Sequence, residues 1–146
     1  MADEMTSYWP DDFDVKILSP LAVLRIQAGA LSAKTHGLLE AEVVTASSQR
    51  SVTHELQLIA PALSGERRTV LTVIHAINEP YPATLEAAIF EPDADHYDTE
   101  REWRPEASTS QEFKDLVKRV LQSKQVRGVV ESLLARSQES SASASA

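Results

Sequence analysis

Apolar and polar residues alternate between Leu38 and Phe90 in a way that predicts four β-strands in an antiparallel meander. Alternate side chains of a strand share a face, so a correct register places apolar residues opposite one another. Ser64-Gly65 predicts a hairpin turn, because glycine tolerates the positive φ of tight turns. The register of this hairpin places Val52, His54, Leu56 and Leu58 opposite Ile77, His75, Val73 and Leu71.

A second hairpin and a fourth strand agree with the first hairpin in phase. Both registers follow from turn residues alone, yet both collect apolar side chains on one face, and this agreement supports the meander. Pro61 lacks a backbone donor and predicts a bulge or a frayed strand end near the turn. The second hairpin, centred near Ser48-Gln49, places Leu39, Ala41 and Val43 opposite Leu58, Leu56 and His54. The fourth strand follows Pro80-Tyr81-Pro82 and has Leu85, Ala87 and Ile89 in phase.

A helix is predicted before the meander. Ser19 is its N-cap and Pro20 its first residue, where the missing N–H of proline costs nothing. Gly37 is the predicted C-cap, and Lys34 and His36 fall in the last turn, where the helix dipole favours positive charge. The apolar stripe that should cover one sheet face consists of Leu21, Val23, Leu24, Ile26, Ala28 and Leu31.

Two short amphipathic helices, or one kinked helix, are predicted after the meander. Thr109-Ser110-Gln111-Glu112 has the pattern of a capping box, and Ser123 interrupts the helical period as a second N-cap. The two apolar stripes are Phe113, Leu116, Val117, Val120 and Leu121, then Val126, Val129, Val130, Leu133 and Leu134.

These elements predict an α+β fold with an N-terminal helix, a four-stranded antiparallel β-meander and two C-terminal amphipathic helices. The predicted single domain covers residues 19–137 and contains an acidic loop at 91–108. Residues 1–18 form an acidic, partly ordered segment, and the Ser/Ala tail at 138–146 is predicted to be disordered because of its low complexity.

The second face of the predicted sheet is partly apolar. Glu42 and Glu55 would lie opposite each other there, and we expect these like charges to splay apart in water. An exposed apolar patch of a few hundred Å² usually indicates an interface, so the sequence predicts a homodimer or a partner docked on this face. The apolar residues of the face are Val44, Ile59, Val70, Ile74 and Phe90.

Charge is unevenly distributed along the chain. The net charge is −8, whereas residues 111–137 carry six basic and three acidic side chains, a balance of +3, which leaves −11 for the remainder. An acidic surface disfavours binding to phosphates. Long loops in compact domains are often functional, and the carboxylates predicted to capture a basic partner are Asp93, Asp95, Asp98 and Glu100. An EF-hand is excluded, because Asp98 replaces its glycine and Arg104 its bidentate glutamate.

Composition restricts the compartment and the chemistry. The chain has no cysteine, which excludes disulfides and thiolate metal sites and fits a reducing compartment. No apolar run approaches the ~20 residues that span a bilayer, and the acidic N-terminus does not resemble a signal peptide. The sequence predicts a cytoplasmic protein with no cofactor.

The aromatic residues near the N-terminus have two interpretations. Tyr8, Trp9 and Phe13 lie among Asp11 and Asp12. They either dock on the domain or belong to a flexible segment that docks on a partner.

His54 and His75 are the most notable pair of polar residues. Two imidazoles on neighbouring strands suit a metal or a shared proton, but their apolar neighbours supply no third ligand. We therefore interpret them as core histidines bonded to the backbone or to each other. The sequence contains no catalytic motif of a known type.

The leading functional hypothesis is a non-enzymatic protein-interaction module, such as an adaptor, an inhibitor or an immunity-type partner. A small metal-dependent hydrolase or nuclease using His54, His75 or the acidic loop is the alternative. A helix-turn-helix DNA binder through residues 110–136 is a third hypothesis, less favoured because such units usually have their own three-helix core.

Overall fold

Five antiparallel strands and three α-helices form the part of the chain that the structure, a computed structural model, describes: residues 7–13, 17–87 and 103–145. The strands follow their sequence order across one sheet, so the predicted α+β class is confirmed. Phe90 and the acidic residues Asp93, Asp95, Asp98 and Glu100 lie outside the described residues. The elements are α1 Pro20–Lys34, β1 Glu40–Ser47, β2 Ser51–Ala60, β3 Glu66–Ala76, β4 Ala83–Glu86, β5 Glu106–Ala107, α2 Ser110–Leu121 and α3 Lys124–Ser145, with a 3₁₀ turn at Pro61–Leu63.

The first hairpin has the predicted faces but a register shifted by two residues. The turn falls at Gln49-Arg50, one residue later than predicted, because Ser48 and Ser51 bond to each other on either side of it. Val43 therefore pairs with Leu56, and His54 pairs with Thr45. A shift of two residues leaves every side chain on its predicted face.

The second hairpin is also shifted, and it contains a bulge. Pro61 ends β2 and begins the 3₁₀ turn, so the connection to β3 takes five residues rather than two. Gly65, with φ of +76°, completes it. His54 consequently pairs with Val73, and His75 with Val52, so the two histidines lie diagonally rather than directly opposite.

The bulge on β3 explains why one prediction about the outer face was wrong. Leu56 pairs with Leu71, but the next residue of β2, Gln57, pairs with Thr69, which leaves Val70 as the extra residue. Val70 turns into the core and is only 1% exposed. It therefore does not contribute to an exposed patch.

The fourth strand is followed by a fifth that the sequence did not predict. In β4, Ala83 and Leu85 are fully buried. Strand β5, Glu106–Ala107, pairs with Ala83 and Thr84 and lies in the stretch predicted to be a loop. A two-residue strand is too short to give a periodic signal, which is why the sequence analysis missed it.

The helix boundaries follow the predicted caps. The hydroxyl of Ser19 accepts from the Ala22 N–H, and that of Thr109 accepts from the Glu112 N–H. The hydroxyl of Ser123 accepts from the Val126 N–H at the start of α3. At the end of α1 the C-cap is Thr35 rather than the predicted Gly37. Gly37 lies two residues beyond the cap, and its N–H donates to the Ser32 carbonyl.

All three helices pack against the same face of the sheet, which we call the inner face. The core joins inner-face residues such as Leu56 and Val73 to Leu24 of α1, Phe113 of α2 and Leu133 of α3. Ile26, which was predicted to widen the α1 stripe, is 58% exposed. None of the described helices is long and apolar enough to cross a membrane.

The last helix differs from the predicted disordered tail. Helix α3 continues to Ser145, and it makes one contact to the start of β3 and one to the β2–β3 connection. Arg136 donates to both carboxylate oxygens of Glu66, and the Ser140 hydroxyl donates to the Ala62 carbonyl at 2.9 Å. Contacts between residues about 70 positions apart leave no trace in local composition.

Candidate functional site

No described helix packs on the outer face of the sheet. Its central residues come from four neighbouring strands; Val44 is 38% exposed and the others are partly buried. We call this set the outer patch: Val44, Thr53, Thr72, Ile74 and Thr84. β-Branched side chains suit this position, since they pack well on a pleated surface.

The outer patch contains two of the five apolar residues predicted for this face. Val44 and Ile74 belong to it. Ile59 lies on the same face but at the other end of the sheet, between Glu40 and Arg67. Val70 is buried and Phe90 lies outside the described residues. The apolar surface is therefore smaller than predicted, and threonines make up most of the patch.

Charged residues are ordered along one end of the outer face. Arg67 donates to the Glu42 carboxylate at 2.8 Å and to the Gln57 side-chain carbonyl at 3.0 Å. Gln57 in turn donates to Glu55 at 3.2 Å. The predicted opposition of Glu42 and Glu55 was wrong, because the two-residue shift places Gln57 opposite Glu42. These hydrogen bonds hold Glu42, Gln57 and Arg67 in a fixed pattern beside the outer patch, and Glu55 lies within the patch, between Val44 and Thr72.

A second ion pair lies near the opposite edge of this face. Glu86 of β4 contacts the Arg104 guanidinium at 3.1 Å. The β-branched residues of the outer patch therefore have charged pairs on both sides and one carboxylate, Glu55, among them. In protein–protein interfaces, charged residues are usually depleted at the centre and common at the rim.

The inner face contains the histidine pair at the end near the β3–β4 turn. His54 is 3% exposed, and its Nε2 lies 2.9 Å from Nε2 of His75. The other ring nitrogens also have partners: Nδ1 of His54 contacts the Thr45 hydroxyl at 2.8 Å, and Nδ1 of His75 contacts the carbonyls of Ala76 and Glu79. This agrees with the interpretation of core histidines bonded to each other and to the backbone.

The electrostatic setting of His54 favours the neutral ring. Burial lowers the pKa of His54, and the charges of His75 and Arg25 lower it further. Within residues 7–13, 17–87 and 103–145, no three His, Asp or Glu side chains are grouped closely enough to hold a metal ion.

A groove of about 590 Å³ lies between β3 and α3. Val70 and Leu133 form part of its lining, together with Arg67, Arg68 and Arg136. Each of these arginines already contacts a carboxylate: Arg67 that of Glu42, and the other two that of Glu66. The hydrogen bond from Arg136 lowers the pKa of Glu66. The arginines are therefore neutralised within the chain.

The aromatic residues of the N-terminal segment do not dock on the domain. Tyr8 and Trp9 are 95% and 74% exposed, and Phe13 is also exposed. Trp9 and Phe13 lie 6.2 Å apart, centroid to centroid. The first of the two interpretations was wrong for these side chains, and docking on a partner stays a prediction.

The basic C-terminal helices contribute to the common core. Phe113 and Val117 of α2 and Val126 and Leu133 of α3 are buried in the same cluster as the sheet. Lys114, Lys118 and Arg127 are exposed. Comparison of the chain with protein-family models, with curated proteins and with solved structures gave no match.

Proposed function

We propose that the protein is a non-enzymatic protein-interaction module whose binding surface is the outer face of the sheet. One observation supports this most: all three helices pack on the inner face, and no described element packs on the outer patch. Solvated strand faces usually carry polar side chains, whereas this face places the apolar Val44 and Ile74 among its threonines and Glu55.

The chemistry of the surface indicates the kind of partner. Ile74 and Val44 provide the apolar contact, and the threonines around them add methyl groups and hydroxyls. Among the described residues, this face carries two arginines, Arg67 and Arg104, and a larger number of glutamates: Glu40, Glu42, Glu55, Glu86 and Glu106. A complementary surface would have an apolar centre with basic residues around it, because opposite potentials guide association and fix orientation.

The occupant is a second copy of the chain or a different protein with such a basic rim. A homodimer would use the same patch on both copies, with a two-fold axis through it. The net charge of −8 would then double in the dimer, which favours a different, basic protein at low salt. A cytoplasmic location is proposed with this function, on the ground that the chain has no cysteine.

Ile74→Glu tests the proposal, with Ile26→Glu as its matched control. Both substitutions replace an isoleucine by a charged residue. Ile74 is partly exposed on the outer face, and Ile26 is 58% exposed on α1, which packs on the opposite face of the sheet. Sedimentation velocity and affinity capture from the source cells are measured for the parent and both variants. We expect Ile74→Glu to abolish dimerisation or capture and Ile26→Glu to preserve it.

The outcome also identifies the occupant. A parent dimer that becomes a folded monomer with Ile74→Glu indicates self-association, whereas a monomeric parent that loses one captured protein indicates a different partner. A monomeric parent that captures the same proteins as Ile74→Glu would contradict the proposal. Unfolding of Ile74→Glu, read by circular dichroism, would mean that the face is internal, which also contradicts it.

The acidic segment offers a second, separable contribution to binding. Asp93, Asp95 and Asp98 lie outside the described residues, so this part of the proposal depends on the sequence alone. Replacing all three by Asn should weaken capture of a basic partner and reduce its salt dependence, since screening acts on such exposed charges. Unchanged capture would remove the segment from the binding surface and leave the outer patch.

A further inference from the structure

The hydrogen bonds around His54 and His75 determine where the protons are. Nδ1 of His75 faces two carbonyl oxygens, Ala76 at 2.8 Å and Glu79 at 3.1 Å. Carbonyls only accept, so this nitrogen carries a hydrogen. In the neutral ring the Nε2 of His75 is then an acceptor, and the Nε2–H of His54 donates to it. Nδ1 of His54 is left as an acceptor for the Thr45 hydroxyl.

The same contacts accept one further proton without any movement of the rings. If His75 becomes charged, its Nε2–H donates to Nε2 of His54. His54 then holds its hydrogen on Nδ1 and donates to the Thr45 oxygen, which accepts as readily as it donates. Each contact remains a hydrogen bond, and only the hydrogens change place.

A second added proton has no place in this geometry. With both rings charged, each Nε2 would carry a hydrogen pointing at the other across 2.9 Å, and neither nitrogen would accept. Two like charges at this separation also repel each other strongly, the more so in a partly buried site. One ring must therefore leave the contact.

The ring that leaves is His75. His54 lies in the core and is 3% exposed, whereas His75 is half-buried and reaches solvent at the end of β3. Movement of His75 removes the donor from the carbonyls of Ala76 and Glu79. These carbonyls belong to the β3–β4 turn, in which the Glu79 N–H donates to Ala76 at 3.2 Å.

We propose that the His54–His75 pair is a pH-sensitive switch, which holds the β3–β4 turn closed with zero or one added proton and releases it when both imidazoles are charged. Among residues 7–13, 17–87 and 103–145, few groups face the pair. Arg25 of α1 opposes a charge on His54, Thr45 of β1 contributes a neutral hydroxyl, and Glu79 contributes a backbone carbonyl. Glu55 and Glu86 lie on the opposite face of the sheet and are not positioned to neutralise a doubly charged pair.

Nitrogen-15 NMR of the parent protein tests the proton positions directly. At pH 8 we expect His54 to be the Nε2–H tautomer and His75 the Nδ1–H tautomer. On acidification the first step should invert the His54 tautomer while the Glu79 amide keeps its protection from hydrogen exchange. The opposite tautomers at pH 8 would overturn the proposal.

Hydrogen exchange tests the release of the turn. As the pH falls towards the second protonation step, protection of the Glu79 amide should fall about tenfold per pH unit, in proportion to the doubly charged population, and should level off below that step. The Phe113 amide, bonded to Thr109 in α2, should stay protected over the same range. Simultaneous loss at both amides would indicate global unfolding and overturn the switch, as would unchanged Glu79 protection with both rings charged.

Two variants complete the test. His54→Leu removes the nitrogen that His75 faces, so the Glu79 amide should stay protected at the pH where the parent has lost protection. His36→Asn removes an exposed histidine from the α1 terminus, where φ of +52° suits asparagine, and should behave like the parent. Loss of protection in His54→Leu at the parent's pH would contradict the switch, and the parent spectra decide the question if His54→Leu does not fold.

Discussion

The Arg136 guanidinium donates to both carboxylate oxygens of Glu66, at 2.7 and 3.1 Å, and so joins α3 to the first residue of β3. The paired geometry is the one that arginine forms best with a carboxylate. One helical turn further, Ser140 bonds to the Ala62 carbonyl. The C-terminal helix is therefore fixed to the start of β3 through Arg136 and to the β2–β3 connection through Ser140, which lies in the Ser/Ala segment whose composition predicts disorder.

Replacing Ser137, which lies between these two contacts, by alanine should increase the free energy of unfolding. Its side chain is fully buried, and its hydroxyl has no hydrogen-bond partner in the described part of the chain. A buried polar group without a partner costs about 1–3 kcal/mol, so we expect Ser137→Ala to stabilise the protein by about 1 kcal/mol or more. Urea unfolding measures this.

The exposed Ser132, on the same helix, provides the control for Ser137. Ser132→Ala changes helix propensity alone, which should contribute about 0.5 kcal/mol. The excess for Ser137→Ala is the cost of burying the hydroxyl. An equal effect at both positions would mean that Ser137 is satisfied in solution.

Gly128 should also be replaceable with a gain in stability. It lies inside α3, and a Cβ built there meets no atom within 4 Å. Alanine is better than glycine in a helix interior by about 1 kcal/mol, so Gly128→Ala should raise the urea midpoint. Gly37→Ala is the contrast: φ of +80° makes it destabilising, and a gain there would contradict the assigned end of α1.

The Thr109 cap should account for a measurable part of the stability of α2. Its hydroxyl accepts from the Glu112 N–H at 3.1 Å, and Glu112 accepts in return from the Ser108 N–H at 2.8 Å. Thr109→Ala should cost about 1 kcal/mol. Thr109→Ser retains the hydroxyl and should restore most of that loss in thermal unfolding, whereas equal losses in both variants would assign the effect to packing.

Stability should fall on mild acidification because of His54. In the unfolded chain this histidine takes up a proton near its ordinary pKa of about 6.5, and in the folded protein its pKa is lower because of burial. Below pH 6.5 the unfolded state binds more protons, so the free energy of unfolding decreases as the pH falls through this range. His54→Leu should make the free energy of unfolding less dependent on pH between pH 7.5 and the folded pKa of His54, whereas His36→Asn should leave this dependence unchanged. Urea unfolding at several pH values measures it. The same pH dependence in His54→Leu and the parent would contradict the assignment of the effect to His54.

The sequence predicted what is encoded locally. Ser19, Thr109 and Ser123 cap helices as expected, because a cap needs only a hydroxyl and its next three residues. Strand faces were also predicted, since period-two alternation survives a shift of two residues. The exact register was not, because Pro61 lengthened one connection and the other turn formed one residue later.

The candidate site was predicted less completely than the fold. Pairing His54 with His75 placed them on one face, but the contact with Thr45 requires the register that only the structure gives. Val70 was assigned to the outer face by simple alternation, which fails where a strand contains an extra residue. No local signal distinguished that position from an ordinary strand residue.

The extra residue Val70 determines which face of the sheet Glu66 and Arg67, at the start of β3, point to. If β3 had no bulge and Val70 lay opposite Gln57, Glu66 would point to the outer face and Arg67 towards the helices. The insertion exchanges them, so Arg67 meets Glu42 and Glu66 meets Arg136. Deleting Val70 would therefore empty part of the core but keep both pairs, because Thr69 would still lie opposite Gln57 and residues 66–69 would keep their faces.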